Sequence, residues 1–163
     1  MPVRILALGD RDPQFLTHRE IDATLALFGG SWTATDSALA GTLDGAAGVW
    51  LLPGTPYRDD EAASAAAAHC VESGTPFLGT CGGFQCHFCG LGVADGYLDA
   101  IRRAGAVVSA HGDDAPVEAV ELPSHPFFIG TAFQPQVGVS ETGRLPALLR
   151  GFLGAARERF APV

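Results

Sequence analysis

The sequence predicts an α/β domain built on a doubly wound, mostly parallel sheet with helices on both faces. Short apolar runs alternate with stretches of helical periodicity, and Gly, Pro or Asp punctuates the end of nearly every run. The chain has 163 residues, 47% of them hydrophobic, enough to pack one core without disulfides or metal, so a single domain over 1–163 is expected.

Residues 3–8 form an apolar run closed by Gly9-Asp10, as expected of a buried first strand. Phe15, Ile21, Leu25 and Phe28 then recur at helical spacing until Gly29-Gly30 ends the helix. A weaker strand is predicted over 31–35 and a clear one over 48–52, stopped by Pro53-Gly54. The alanine-rich stretch 58–72 reads as a helix and 75–79 as another buried strand. A helix over 94–105, strands over 106–109, 117–121 and 127–133, and a closing helix over 145–160 complete the pattern. In such sheets ligands sit beyond the carboxyl ends of the strands, an edge that carries Asp10, residues 53–57, Cys81 and the segment after Phe133.

The formal net charge is −8, and no lysine is present, so every fixed side-chain cation is one of ten arginines. That balance argues against nucleic acid or an anionic membrane as partner, since both require clustered basic residues. No apolar run is long enough to span a bilayer, and the amino terminus lacks the pattern of a secretory leader. A cytoplasmic protein with four reduced cysteines is expected, with no metal and no cofactor.

Gly79-Thr80-Cys81-Gly82-Gly83-Phe84-Gln85 is the most informative stretch. A reactive residue placed between a strand and a helix needs a sharp turn, and glycines flank it because side chains there would collide. The turn projects the Cys81 thiol outward, and the free N–H groups of the following helix favour its reactive thiolate. The Gly82 N–H is placed to stabilise a developing oxyanion. A small buried cysteine in a glycine-rich turn is the plainer alternative; the preceding apolar strand and the second glycine loop upstream favour a functional thiol.

The same stretch resembles the Gly-x-Cys-x-Gly-x-Gln signature of the class I glutamine amidotransferases. Pro76-Phe77-Leu78-Gly79, Leu52-Pro53-Gly54-Thr55 and residues 121–128 are similar to the glutaminase domain of CTP synthase. Asp10, His18-Arg19, Pro56-Tyr57-Arg58 and Phe133-Gln134-Pro135 resemble smaller proteins related to that domain. The resemblance implies a flavodoxin-like fold and a cysteine that attacks an amide, forms a thioester and releases ammonia to a synthase partner. It implies an oxyanion site at Gly82 and Thr55, with Gly54 beside it. The family's base is a histidine, oriented by a glutamate, in a Phe-His-Pro-Glu stretch, where this chain has Phe133-Gln134-Pro135-Gln136. An amide takes no proton at neutral pH, so standard glutamine hydrolysis is not expected. Relatives also carry a longer segment between the elbow helix and the helix near Tyr97.

Among the histidines, His125 precedes the late strand and reads as a turn residue. His69 reads as helix surface, and His87 and His111 cannot be located from sequence. His18 lies on the same sheet edge as Cys81 and is the preferred catalytic histidine, with a capping or solvated role as the alternative. Asp10, Tyr57, Arg58 and Gln134 are expected to bind a small-molecule substrate. Cys86-His87-Phe88-Cys89 reads as buried thiols in a helix rather than a redox pair or zinc site. A thiol α/β-hydrolase with Asp113 and His125 is a more distant reading. The expected function is thus a divergent enzyme using Cys81 as covalent nucleophile on a small amide, ester or activated carbonyl. Its competitor is a non-catalytic binding or regulatory protein on the same fold, and fold analogy allows a homodimer.

Overall fold

Leu6 to Leu8, Val49 to Leu52 and Phe77 to Leu78 are buried without interruption, a pattern that only strands covered on both faces satisfy. A computed structural model describes residues 3–37, 40–84, 103–113 and 117–159. Among them the elements are β1 (Ile5–Leu8), α1 (Leu16–Ala26), β2 (Trp32–Thr33), α2 (Ala40–Asp44), β3 (Gly48–Leu51), α3 (Asp60–Ser73) and β4 (Phe77–Thr80), followed by β5 (Val107–Ala110), β6 (Ala119–Glu121), β7 (Phe128–Thr131), α4 (Val139–Thr142) and α5 (Ala147–Glu158).

The strands form one sheet in the order β2-β1-β3-β4-β7-β6-β5. The pairs from β2 through β7 are parallel, whereas β7–β6 and β6–β5 are antiparallel. The expected doubly wound, mostly parallel sheet is therefore present, with an antiparallel extension at one end. Strand alternation divides the core between two faces. Leu6, Leu8, Val49, Leu51 and Phe77 pack with Ala63, Ala66 and Cys70 of α3. Ala7, Trp50 and Leu78 pack with Ile21 and Leu25 of α1 and with Leu149, Phe152 and Leu153 of α5.

Local chemistry sets the boundaries. Asp59 caps α3 by accepting from the Ala62 N–H at 2.8 Å, and Gly74 ends that helix at φ 67°. The strand predicted over 31–35 shortens to Trp32–Thr33, because Thr35 gives its N–H to the Asp10 carboxylate instead of to the ladder. The closing helix starts at Ala147 rather than 145, since Leu145 precedes Pro146 and the α region is disfavoured there. The short helices α2 and α4 carry too little periodicity to be read from sequence. Most of the helix predicted over 94–105, and the Cys86–Cys89 pair, lie outside the described residues. No helix among the described residues is long and apolar enough to cross a membrane.

Phe152 is fully buried, and its ring is the wall against which Gly48 packs. Phe152→Ala is expected to lower stability by about 3–5 kcal/mol in urea unfolding; an unchanged midpoint would contradict this packing scheme.

Candidate active site

The carboxyl ends of β1, β3, β4 and β7 bring together four loops, and the elbow after β4 is the tightest. Cys81 adopts φ 51°, a left-handed conformation that a residue with a Cβ adopts only at a penalty of roughly 1–3 kcal/mol. Its N–H is held by the Thr131 carbonyl at 2.8 Å, and its own carbonyl accepts from the Phe84 N–H at 3.0 Å. Gly82 to Phe84 are helical, so the residue sits between strand and helix as predicted.

The elbow packs directly onto the loop after β3. A Cβ on Gly82 would lie 2.7 Å from Thr55 Cγ2 and 2.9 Å from the Thr55 backbone nitrogen. One on Gly83 would collide with the Leu51 carbonyl. Both positions therefore require glycine for close approach rather than for turning. Beneath the elbow, the buried Trp50 indole donates to Thr80 Oγ1 at 3.1 Å, filling the space under the strand end.

A cleft of about 190 Å³ opens over Cys81, lined by Phe15, Thr17, His18, residues 53–55 and Gln134. It adjoins a second of about 360 Å³, with which it shares Phe15, Gly54 and Thr55 and which runs out to Arg11, Asp12 and Arg58. Phe15 was legible only as an apolar helix position. It stands just before α1, 54% exposed, its ring centroid 5.1 Å from that of His18.

The structure brings His18 beside Cys81, but seats it otherwise than a base requires. The ring is 2% exposed. Its Nδ1 accepts from the Asp12 N–H at 2.9 Å, and the ring also hydrogen-bonds toward the Pro53 backbone. Proline has no N–H, so the carbonyl is the acceptor there and the proton resides on Nε2. Burial, opposed by the Asp12 charge and the Pro53 carbonyl, holds the imidazole below the ordinary histidine range. Seated this way, His18 is a neutral clamp between the loops after β1 and β3, with no lone pair free to take a proton. Gly54 makes room for it: at φ 123°, a Cβ there would stand 3.2 Å from His18 Nε2.

Two of the four residues expected to bind substrate, Asp10 and Tyr57, serve first to hold the loops. Asp10 accepts from Thr35 N at 2.9 Å, Thr35 Oγ1 at 2.6 Å and Arg58 N at 2.8 Å. Burial raises its pKa, but these hydrogen bonds and the Arg58 charge outweigh that and hold the carboxyl below its usual range. Tyr57 is buried, with its hydroxyl donating to the Leu52 carbonyl, and it lines neither cleft. Arg58 lines the second cleft, with its guanidinium exposed and 3.8 Å from Asp36. Gln134 alone of the four lines the Cys81 cleft. Its Oε1 accepts from Gln136 Nε2 at 2.9 Å. Gln136, fully buried with its own Oε1 unpartnered, lines neither cleft and supports Gln134 from behind; the sequence marked it only as a replacement.

His125 lies away from this cleft. Its Nδ1 accepts from the Phe127 N–H at 3.1 Å, and its Nε2 meets the Cys70 carbonyl at 2.9 Å, which is the turn role expected. Cys70 is a buried thiol pushed up to about 12 by burial and has no place in the site. His87 and Gln85 lie outside the described residues.

A strained cysteine between a parallel strand and a helix, packed onto a glycine loop, defines the class: this is the class I glutamine amidotransferase fold. Two solved structures share it over nearly their whole length. The glutaminase domain of Trypanosoma brucei CTP synthase, with bound acivicin, superimposes with a TM-score of 0.69 at 16% identity, over 96% of this chain and 94% of that one. A Thermoplasma acidophilum protein described as a subunit of GMP synthase gives 0.63 at 17% identity, over 96% and 95%. In sequence, the chain is 42% identical over 64 residues to the CTP synthases of Pyrobaculum calidifontis and Rubrobacter xylanophilus. That stretch is 39% of this chain and only 12% and 11% of those enzymes. No family model matches the chain.

Two titrations follow. His18 has a depressed folded pKa, so its contribution to stability is complete above about pH 6.5 and is lost as pH falls below it. His18→Gln is expected to flatten that limb of a stability–pH curve; an unchanged limb would mean that His18 is not buried as a neutral ring. The Asp10 contribution is present above about pH 4 and lost below it. Asp10→Asn is expected to lower stability at neutral pH by about 1.5–3 kcal/mol, the range for hydrogen bonds to a charged group, measured by urea unfolding.

Proposed function

We propose that the chain is a divergent glutamine-amidotransferase-like enzyme in which Cys81 is the covalent nucleophile on a small carbonyl substrate. The observation that carries this reading is the φ of 51° at Cys81: strain at a residue free to be glycine is kept where a side chain must be presented. The thiol attacks the carbonyl, and the N–H groups of Gly82 and Thr55, whose backbones are in contact, stabilise the oxyanion. His18 positions the Gly54 loop, Gln134 and Arg58 contact substrate, and Asp10 and Tyr57 hold the loops that carry them.

Standard glutaminase chemistry does not fit. The pair standing where the family has its histidine and glutamate is Gln134 and Gln136, hydrogen-bonded at 2.9 Å but unable to titrate. That pair favours a second reading, a non-catalytic binding or regulatory protein on the same fold. The two structural relatives are a domain of a synthase and a synthase subunit, which supports a synthase-type partner. Exposed Phe15, Leu16, Phe133 and Val137, in the segments that follow β1 and β7, are where such a partner would bind.

Intact-mass measurement after incubation with small amides, esters and thioesters tests the leading reading. A covalent adduct present in the wild type and missing in Cys81→Ala is expected. A folded wild type that forms no adduct with any of them would favour the binding protein.

A further inference from the structure

The two amides beside Cys81 define which carbonyl compounds the thiol can use. Gln136 gives its Nε2 hydrogen to Gln134 Oε1 while its own buried Oε1 stays unpartnered. The reversed orientation would instead bury an unpaired NH₂, the more costly group to strand. Gln134 spends one of its oxygen's two lone pairs on Gln136 and keeps its NH₂ for the cleft. Opposite it, His18 has Nδ1 filled by the Asp12 N–H and its proton on Nε2 toward Pro53. Among the described residues lining the cleft, the amide, the hydroxyls and His18, whose Nδ1 is engaged, offer the thiol no group that exchanges a proton near neutral pH.

This arrangement suits some leaving groups and not others. When a thiol displaces an amine from an amide, the departing nitrogen must take up a proton as the C–N bond breaks, which calls for a general acid. A thiolate or a phosphate leaves as a stable anion and needs none. Resting on the nucleophile reading above, we propose that the substrate of Cys81 is an activated acyl donor, a thioester or an acyl phosphate, rather than an amide. The Cys81 sulfur forms a bond to the acyl carbon, and the bond from that carbon to the donor's sulfur or phosphate oxygen breaks. The electron pair leaves with the anion, and the thiol proton passes to solvent. Gln134 NH₂ adds a third donor to the carbonyl oxygen, beside the Gly82 and Thr55 N–H groups. Because no base for water is present among the described residues lining the cleft, the acyl group stays on Cys81 until a stronger nucleophile takes it.

The test uses the full chain with S-acetyl-N-acetylcysteamine, acetyl phosphate, acetamide and glutamine, read by intact mass and by released ammonia. Acetylation at Cys81 by at least one activated donor is expected, faster than in the urea-unfolded chain by roughly 10²-fold, as oxyanion stabilisation provides. Which of the two reacts separates thioester from phosphate. Gln134→Ala should slow acetylation by roughly 10²-fold in protein that still melts cooperatively, at a lower temperature because the Gln136 NH₂ loses its partner. Gln134→His/Gln136→Glu should shorten the lifetime of the acetyl group by about 10² or more, since it restores a base for water. Ammonia or an adduct from glutamine or acetamide would overturn the substrate class while leaving Cys81 as nucleophile. Acetylation no faster than in the unfolded chain, for both activated donors, would overturn the nucleophile reading as well.

Discussion

The contact between the elbow and the loop after β3 is the constraint on which the rest of the site depends. Gly82 and Gly83 bring their backbones against Thr55 and the Leu51 carbonyl, with no space for a Cβ at either position. The approach leaves Cys81, at φ 51°, between a strand end and two glycines, half-buried and lining the cleft. Parallel β3–β4 pairing in register, Val49 with Phe77 through Leu51 with Gly79, delivers the two loops to the same height. The doubly wound core beneath them, with Trp50 tied to Thr80, keeps that height fixed.

Polar groups around the cleft hold loops rather than await substrate. Asp10 joins the ends of β1 and β2 to the start of α3 through Thr35 and the Arg58 N–H, and the Asp59 N–H reaches the same Thr35 hydroxyl at 3.1 Å. His18 joins the loop after β1 to Pro53. Across the sheet edge, Glu20 of α1 accepts from the Ser140 N–H at 2.9 Å and ties the segment after β7 to the same frame. Each clamp fixes backbone that carries a cleft residue, so the site is preorganised by hydrogen bonds between segments far apart in sequence.

Much of the fold was legible because the signals are local. Apolar runs ending in Gly, Asp or Pro mark the strands of the parallel core, and the elbow glycines single out Cys81 from sequence alone. The roles of Asp10, His18 and Tyr57 were not legible, because their partners, Thr35 and Arg58, Asp12 and Pro53, and Leu52, are set by tertiary geometry. A carboxylate at a strand end reads as a ligand group until its acceptor capacity is seen to be spent on backbone N–H groups. Likewise Gln134 and Gln136 show in sequence that a base is missing. Only the structure shows that the two amides pair with each other, which leaves the Gln134 NH₂ for the cleft.

The central claim is that Cys81 presents its sulfur to a carbonyl whose oxygen lies between the Gly82 and Thr55 N–H groups. The crystal structure of the chain after reaction with S-acetyl-N-acetylcysteamine tests it most directly. Density continuous from Cys81 Sγ, with the acyl oxygen within about 3 Å of both N–H groups as an oxyanion site requires, is the predicted result. An acyl group on another residue, or one on Cys81 with its oxygen turned to solvent, would contradict it.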